Sequence, residues 1–452
     1  MNIVFEHVFV KRNFINYDEC PEDRFKVSPM MSALLRYNSF ESQVYRDFLM
    51  DVEVYGTPND VPEDEKYVIP SGVAYHPNDW CGPDEFVPET NDKRTPDKKP
   101  LFEYLSKEYL KDLQSGRAFL MLDQSHEGYQ TDWLWPWFHN MCDKYSIMPK
   151  QIIYVTGNLN SELQYQNWAD THNLVNRLKV IGYAHFEMTI KESTDNYVRI
   201  PPYYNKPIDF EEQIEYKLDN LSAVKSYNAL QKRTRAHRIW LFYGLVKNNL
   251  IDQGINSMND FDIKRSFYEG RILTPDEYDL MKPYLPILPF ENPEGYTIAN
   301  FADGDCGNYI TSINRETSLN SWFSVISEAS FAESEHTCFL SEKTFKPIIC
   351  SQPFIIFGNK GSLKHLRKMG YKTFSPWINE KYDELDTWYR YEAILDEIKR
   401  LCAMTVDEKI KWFEGMQEIL EHNFNQIYHN STVVIPTAVV KFKQYIEEQD
   451  NV

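Results

Sequence analysis

Residues 339–374 read FLSEKTFKPIICSQPFIIFGNKGSLKHLRKMGYKTF, and this stretch decides the fold of the chain's second half. It holds two β–α passes whose conspicuous polar residues fall where strands hand over to helices. Ser341 is placed to cap a helix, with Glu342 in the first turn, where exposed N–H groups and the positive end of the dipole favour an oxygen or an anion. Lys343 and Lys346, three apart, share a face of that helix. Phe345, Ile348 and Ile349 turn to the core, with Pro347 accommodated by a kink. Pro353 to Phe357 is a continuous apolar run of the kind buried on both faces of a parallel sheet, and Gly358-Asn359 breaks it. A second helix is predicted over 362–369, closed by Gly370, with a further strand over 371–374.

Immediately upstream, Trp322 to Ser327 reads as a buried strand with Glu328 at its end. Ser226 to Asn249 reads as a strand or turn feeding a long helix that begins near Thr234. Lys232, Arg233, Arg235 and Arg238 crowd the start of that helix, where cations oppose the dipole and repel one another, so an anion that offsets them is expected. Asp303-Gly304-Asp305 has the form of a D-x-D metal pair, but two acids astride a glycine are ordinary turn chemistry and are read as a turn.

The first half alternates in the same way. Met1 to Val10 opens with a strand pattern, and 41–55 suits a helix leading into a strand. Arg117 to Asp123 and Gln151 to Gly157 are buried strands, Leu178 to Met188 is a third, and 131–145 and 160–173 suit helices. Strands alternating with helices indicate a doubly wound parallel sheet, whose ligands collect at the carboxyl ends of the strands. Asp123, His126, Glu127 and Asn158 lie at such ends. Residues 79–100 read as a surface loop whose Lys93, Arg94, Lys98 and Lys99 form a basic cluster suited to phosphate on an acceptor. The pattern lapses between Pro201 and Leu221, after which the second sheet begins. The expected organisation is a first domain over 1–220, a second over 221–400, and closing helices over 401–452 that bridge them.

Composition narrows the class. Forty-eight Lys and Arg against 67 Asp and Glu give a net charge of −19, which excludes a surface coated for nucleic acid and confines any such contact to a local patch. The seven cysteines are scattered with no C-x-x-C pair, as expected of reduced thiols and not of a disulfide frame or zinc site. No basic-then-apolar leader opens the sequence, and no apolar run approaches about 18 residues, so a cytoplasmic protein without membrane insertion is expected. Nothing in the pattern indicates an oligomeric state.

Two successive doubly wound (Rossmann-like) domains facing a cleft, with closing helices, are similar to the GT-B glycosyltransferase plan. Ser341 to Pro347 (SEKTFKP), after a strand ending Ser327-Glu328 and before Pro353 to Gly358, resembles the donor-binding segment of α1,3-fucosyltransferase-like enzymes. It resembles more closely the glycosyltransferase-like proteins of tailed bacteriophages and giant viruses. There the block accompanies an L-N-R-x-x-R-x-H-R element; Leu230 to Arg238 reads LQKRTRAHR, departing at Gln231 and Lys232. The resemblance spans roughly 115–400. It implies a carboxylate on the donor's ribose, Glu342, and cations on its diphosphate, Lys343 or Lys346 with Arg233, Arg235 and Arg238, in a pocket shared with Glu328 and Ser341. It implies an inverting transfer from a UDP- or GDP-linked sugar with no metal and no further cofactor. The base that such a transfer needs is sought at the rim of the first sheet, with Glu127 first and Asp123 and His126 beside it. Asn158, Lys93 and Arg94 fall on the acceptor side. Some phage enzymes of this architecture glycosylate hydroxymethylated DNA bases with glucose or arabinose, making such DNA one expected acceptor and a glycan or protein the other. A nucleotide- or glycan-binding module that lacks the base is the non-catalytic alternative.

Overall fold

The structure is a computed structural model that describes residues 2–4, 53–71, 101–128, 132–187, 190, 210–220, 224–231, 235–258, 266–267, 271–285, 315–331, 336–428 and 437–450. The chain forms two compact units, Met1–His185 with Val433–Val452, and Phe186–Thr432.

The first unit is built on six parallel strands, β1 (Asn2–Val4), β2 (Glu53–Tyr55), β3 (Tyr67–Ser71), β4 (Ala118–Gln124), β5 (Ile152–Thr156) and β6 (Lys179–Gly182). They lie in the order β2-β1-β3-β4-β5-β6. Parallel neighbours need crossovers. Helices α1 (Lys107–Ser115), α2 (Leu134–Tyr145) and α3 (Ser161–Thr171) serve the later strands. β4 and β5 are buried along their whole length, which is why they read as apolar runs without alternation. Their register pairs Leu120 with Ile152 and Asp123 with Val155, carrying Asp123 to the carboxyl edge. Pro136 is the third residue of α2, where a missing N–H breaks no helical bond. α1 stops at Gly116, whose φ of +89° only glycine adopts readily.

The second unit begins with α4 (Phe210–Asp219) and has a four-stranded parallel sheet, β7 (Lys225–Gln231), β8 (Gly254–Met258), β9 (Ser321–Ser327) and β10 (Phe354–Phe357). The order is β10-β9-β7-β8. α5 (Ala236–Lys247) follows β7, and α6 (Pro275–Met281) and α7 (Arg315–Leu319) precede β9. α8 (Glu342–Ile349) links β9 to β10, and α9 (Ser362–Lys368), α10 (Thr387–Cys402), α11 (Val406–Glu414) and α12 (Gln417–Tyr428) complete the unit. The last helix, α13 (Thr437–Asp450), belongs to the first unit, packing on β6 and pairing Lys441 with Glu162 at 2.5 Å.

Both sheets are therefore parallel and Rossmann-like, as the alternating pattern predicts. Two local readings are corrected. Residues 371–374 are not a strand: Asn423 takes both backbone groups of Lys372, at 2.8 Å each, and the Glu380 carboxylate accepts from the Phe374 N–H at 2.5 Å. Side chains have satisfied the donors and acceptors that a ladder would have used. The strand expected over 178–188 is β6 and stops at Gly182, and the chain is helical from His185. The helical spacing after residue 401 is realised over 406–428 as α11 and α12, which part at Gly415, where a Cβ would meet the Trp377 ring at 2.4 Å. The described cysteines, Cys142, Cys338, Cys350 and Cys402, are buried free thiols. No described helix is long and apolar enough to cross a membrane.

Candidate functional site

In the second unit β7 and β9 are neighbours, but β7 continues to β8 on one side and β9 to β10 on the other. The connections leaving their carboxyl ends diverge and open a crevice, the place where open parallel sheets bind ligands.

The crevice wall is made where β9 runs out. Glu328 is fully buried, and its carboxylate accepts hydrogen bonds from the Ser341 N–H at 3.0 Å, the Ala329 N–H at 3.1 Å, and the hydroxyls of Ser341 and Thr344, each at 2.5 Å. One carboxylate thus ties the end of β9 to the first turn of α8. On the other side Arg238 Nη2 donates to the carbonyls of Ser327 (3.3 Å) and Glu328 (3.1 Å), and Arg235 Nη1 donates to that of Ala329. His237 Nε2 donates to the Glu328 carbonyl at 3.0 Å, fixing the proton on that nitrogen. Burial, reinforced by the charge of Arg238, lowers the His237 pKa to about 3, so the ring is neutral.

α8 itself carries the charge. Burial disfavours the Glu342 anion, yet Lys343 and Lys346 outweigh it and hold the pKa below the ordinary carboxylate value. Glu342 Oε1 accepts from Lys343 Nζ at 2.6 Å, while Oε2 makes no hydrogen bond to another described side chain. Lys346 is pulled down to about 8, burial outweighing the attraction of Glu342. Of the donor-side residues singled out in the sequence, Glu328, Ser341, Glu342, Lys343, Lys346, Arg235 and Arg238 lie along β9, α8 and the start of α5. Arg233 lies outside the described residues. Glu328 and Arg238 direct these hydrogen bonds to the protein itself, which makes them builders of the crevice.

At the carboxyl edge of the first sheet, Asp123 is fully buried and accepts from the Ser125 N–H at 3.0 Å. The turn that follows is pinned: the Glu127 N–H donates to the Gln124 carbonyl, and the Gly157 N–H to the Glu127 carbonyl, both at 3.0 Å. Asn158 is buried in the turn after β5, its side-chain oxygen accepting from the Asn160 N–H at 3.1 Å. Burial lowers the pKa of His126 while Asp123 acts the other way, and His185 falls to about 4 by burial against the same carboxylate. Nδ1 of His126 is buried with no hydrogen-bond partner among the described residues.

His185, His237 and Thr344 did not stand out in the sequence. His185 follows β6 much as Asp123 lies near the end of β4, but extending that strand to Met188 hid it. Thr344 is two residues beyond the picked-out Glu342, and only the fold shows that it faces Glu328. Lys93, Arg94, Asp303 and Asp305 lie outside the described residues. Among the described residues no group of three or more His, Cys, Asp or Glu side chains is arranged to hold a metal ion.

Fold and site together define a protein of two parallel α/β units, the second with the Glu342 carboxylate and the Lys343 and Lys346 ammonium groups on the helix that leaves its switch point. No family model matches the sequence, and no curated protein matches it. Among solved structures, the chain is similar to an alpha,alpha-trehalose-phosphate synthase (UDP-forming) from Burkholderia vietnamiensis, at 10% identity, covering 96% of this chain and 86% of that one, with a TM-score of 0.39. It is also similar to an alpha1,3-fucosyltransferase, at 10% identity, covering 99% and 90%, with a TM-score of 0.36. Likenesses this distant lend no function to the chain, which must come from its own residues.

Proposed function

We propose that the protein is a GT-B-like glycosyltransferase that moves a sugar from a UDP- or GDP-linked donor to an acceptor hydroxyl, with inversion and without a metal. The observation that carries the reading is the ionised, nearly buried Glu342 at the head of α8, flanked by Lys343 and Lys346 in a switch-point crevice. An ionised carboxylate, with about four lone-pair sites, accepts the two hydroxyls of a ribose, and ammonium groups beside it neutralise a diphosphate.

The second unit is the donor side in this reading and the first unit supplies the base. His126 is the favoured base over Asp123 and Glu127, because its Nδ1 has no partner among the described residues and burial lowers its pKa and keeps it neutral, with Asp123 nearby to stabilise the imidazolium it becomes. His126 takes the acceptor proton, the acceptor oxygen attacks the anomeric carbon, and the bond from that carbon to the diphosphate breaks. Lys343, Lys346 and Arg235 take up the charge that develops on the leaving nucleotide. The acceptor is a hydroxymethylated base in phage DNA or, in the second reading, a glycan or protein hydroxyl. The net charge of −19 favours the latter by leaving only local patches for a polyanion.

Titration with UDP, GDP and their sugars tests the donor site. At least one nucleotide binds, and Glu342→Ala abolishes binding; failure of every nucleotide to bind refutes the reading. Comparing His126→Asn with Glu127→Gln then locates the base, since only loss of the true base removes turnover while donor binding persists. Mass spectrometry of DNA, glycans and protein after incubation with donor identifies the acceptor.

A further inference from the structure

Lys343 stands in an unusual place. Successive residues of a helix do not face one another. Yet Lys343 Nζ reaches 2.6 Å from Oε1 of the preceding Glu342 and 3.2 Å from the N-cap hydroxyl of Ser341. The stem must therefore fold back across the first turn, and the ammonium sits over the end of α8 where N–H groups and the dipole favour an anion. That location disfavours a cation, and the Glu342 carboxylate offsets it. The third ammonium proton has no partner among the described residues.

We propose that Lys343 is a latch that couples the two halves of the donor: it occupies Glu342 when the crevice is empty, and a diphosphate draws it off so that Glu342 can accept the ribose hydroxyls. This rests on the reading of α8 as the nucleotide site. A diphosphate carries more charge than one carboxylate and captures the ammonium at the helix end, where the dipole supports the anion as well. Glu342 is only 7% exposed, so once Lys343 leaves, the carboxylate must regain hydrogen-bond donors, and the ribose diol supplies them. Each half of the donor thereby prepares the site for the other. Nucleosides alone bind more weakly because they must break the ion pair without replacing its charge. By linkage the effect is reciprocal: the nucleoside strengthens the diphosphate by the same factor.

The experiment is calorimetric titration of the full chain with uridine and guanosine, without and with saturating inorganic pyrophosphate, beside UDP and GDP. The expected result is that pyrophosphate tightens the nucleoside by about tenfold, within the range usual for coupled sites. In Lys343→Met the nucleoside binds without pyrophosphate as tightly as it binds to the wild type with it, and pyrophosphate no longer changes its affinity. In Lys346→Met pyrophosphate binds more weakly but the coupling survives. Independent binding of the halves to the wild type overturns the latch without any variant being needed, as does coupling that persists in Lys343→Met when its melting curve shows a folded protein. If UDP and GDP themselves fail to bind, the nucleotide reading falls and the latch with it; if they bind while their halves are independent, only the latch falls.

Discussion

Glu342 and Lys346 each carry a charge that burial disfavours, and each keeps it partly because of the other. Removing either one therefore changes the second. Glu342→Gln deletes the attraction that raises the Lys346 pKa, so the lysine drops below its value of about 8 and loses charge at neutral pH, weakening the diphosphate as well as the ribose contact. The loss should exceed that of one charged hydrogen bond, about 1.5–3 kcal/mol, and titration calorimetry with UDP or GDP reads it. Lys346 also sets a pH dependence. Below about 8 its ammonium is charged in the free protein and attracts phosphate. Above that value binding must take up a proton, so the affinity falls by up to about tenfold per pH unit. Lys346→Arg, which stays charged throughout, should bind nucleotide with a flat profile over the same range. An unchanged slope in the arginine variant would show that another group titrates.

Among the elements, α8 and α4 show how much of the structure was written locally and how much was not. The cap at Ser341, the buried run of β10 and the stop at Gly370 were legible because each depends on residues within a few positions of it. That Glu328 fastens β9 to α8 was not, because its partners lie 13 and 16 positions away. Glu328→Gln should destabilise the second unit by roughly 2 kcal/mol, since the amide cannot accept from all four donors with a full charge, and denaturant unfolding would measure it. The mistaken strand over 371–374 has the same origin: Asn423 and Glu380 reach its backbone from outside any local window. Nor could periodicity identify Lys217 on α4 as a core residue. It is buried, donates to Gln352 at 2.5 Å and lies 5.0 Å from the Phe413 ring centroid, and burial lowers its pKa from 10.5 to about 7. Below about pH 7 folded and unfolded chains both bind the proton, and the fold bears the full cost of the buried ammonium. Between about 7 and 10.5 the unfolded chain binds more protons, so stability rises with pH, by at most about 1.4 kcal/mol per unit. Lys217→Met should flatten this rise and lift the melting temperature at pH 7. A wild-type curve that is level over this window would rule out a neutral lysine.

For the molecule as a whole, the order of the chain and the order of its units differ: the second unit is inserted before the chain returns to finish the first. Apolar spacing after residue 401 announces helices but does not say which sheet each one covers, because every amphipathic face is equally ready for either. The choice is made by specific partners of α13. Phe442 and Ile446 are buried, Tyr445 packs edge-on to Phe119 at 6.3 Å with the Lys179 ammonium 5.2 Å from its ring centroid, and its hydroxyl donates to the Lys150 carbonyl. Burying Phe442 and Ile446, at about 1.5–3 kcal/mol each, is a gain that the first unit loses when the helix is removed, and it is large beside the few kcal/mol by which a marginal domain is stable. Ending the chain after Thr432 should therefore strip hydrogen-exchange protection from β4, β5 and β6 while β7, β9 and β10 keep theirs. Nucleotide binding should survive this truncation and transfer should not, because the residues proposed to hold the donor belong to the second unit and the proposed base His126 to the first. Equal loss of protection in both sheets would mean that the units unfold as one, and α13 would then be holding up more than the sheet it touches.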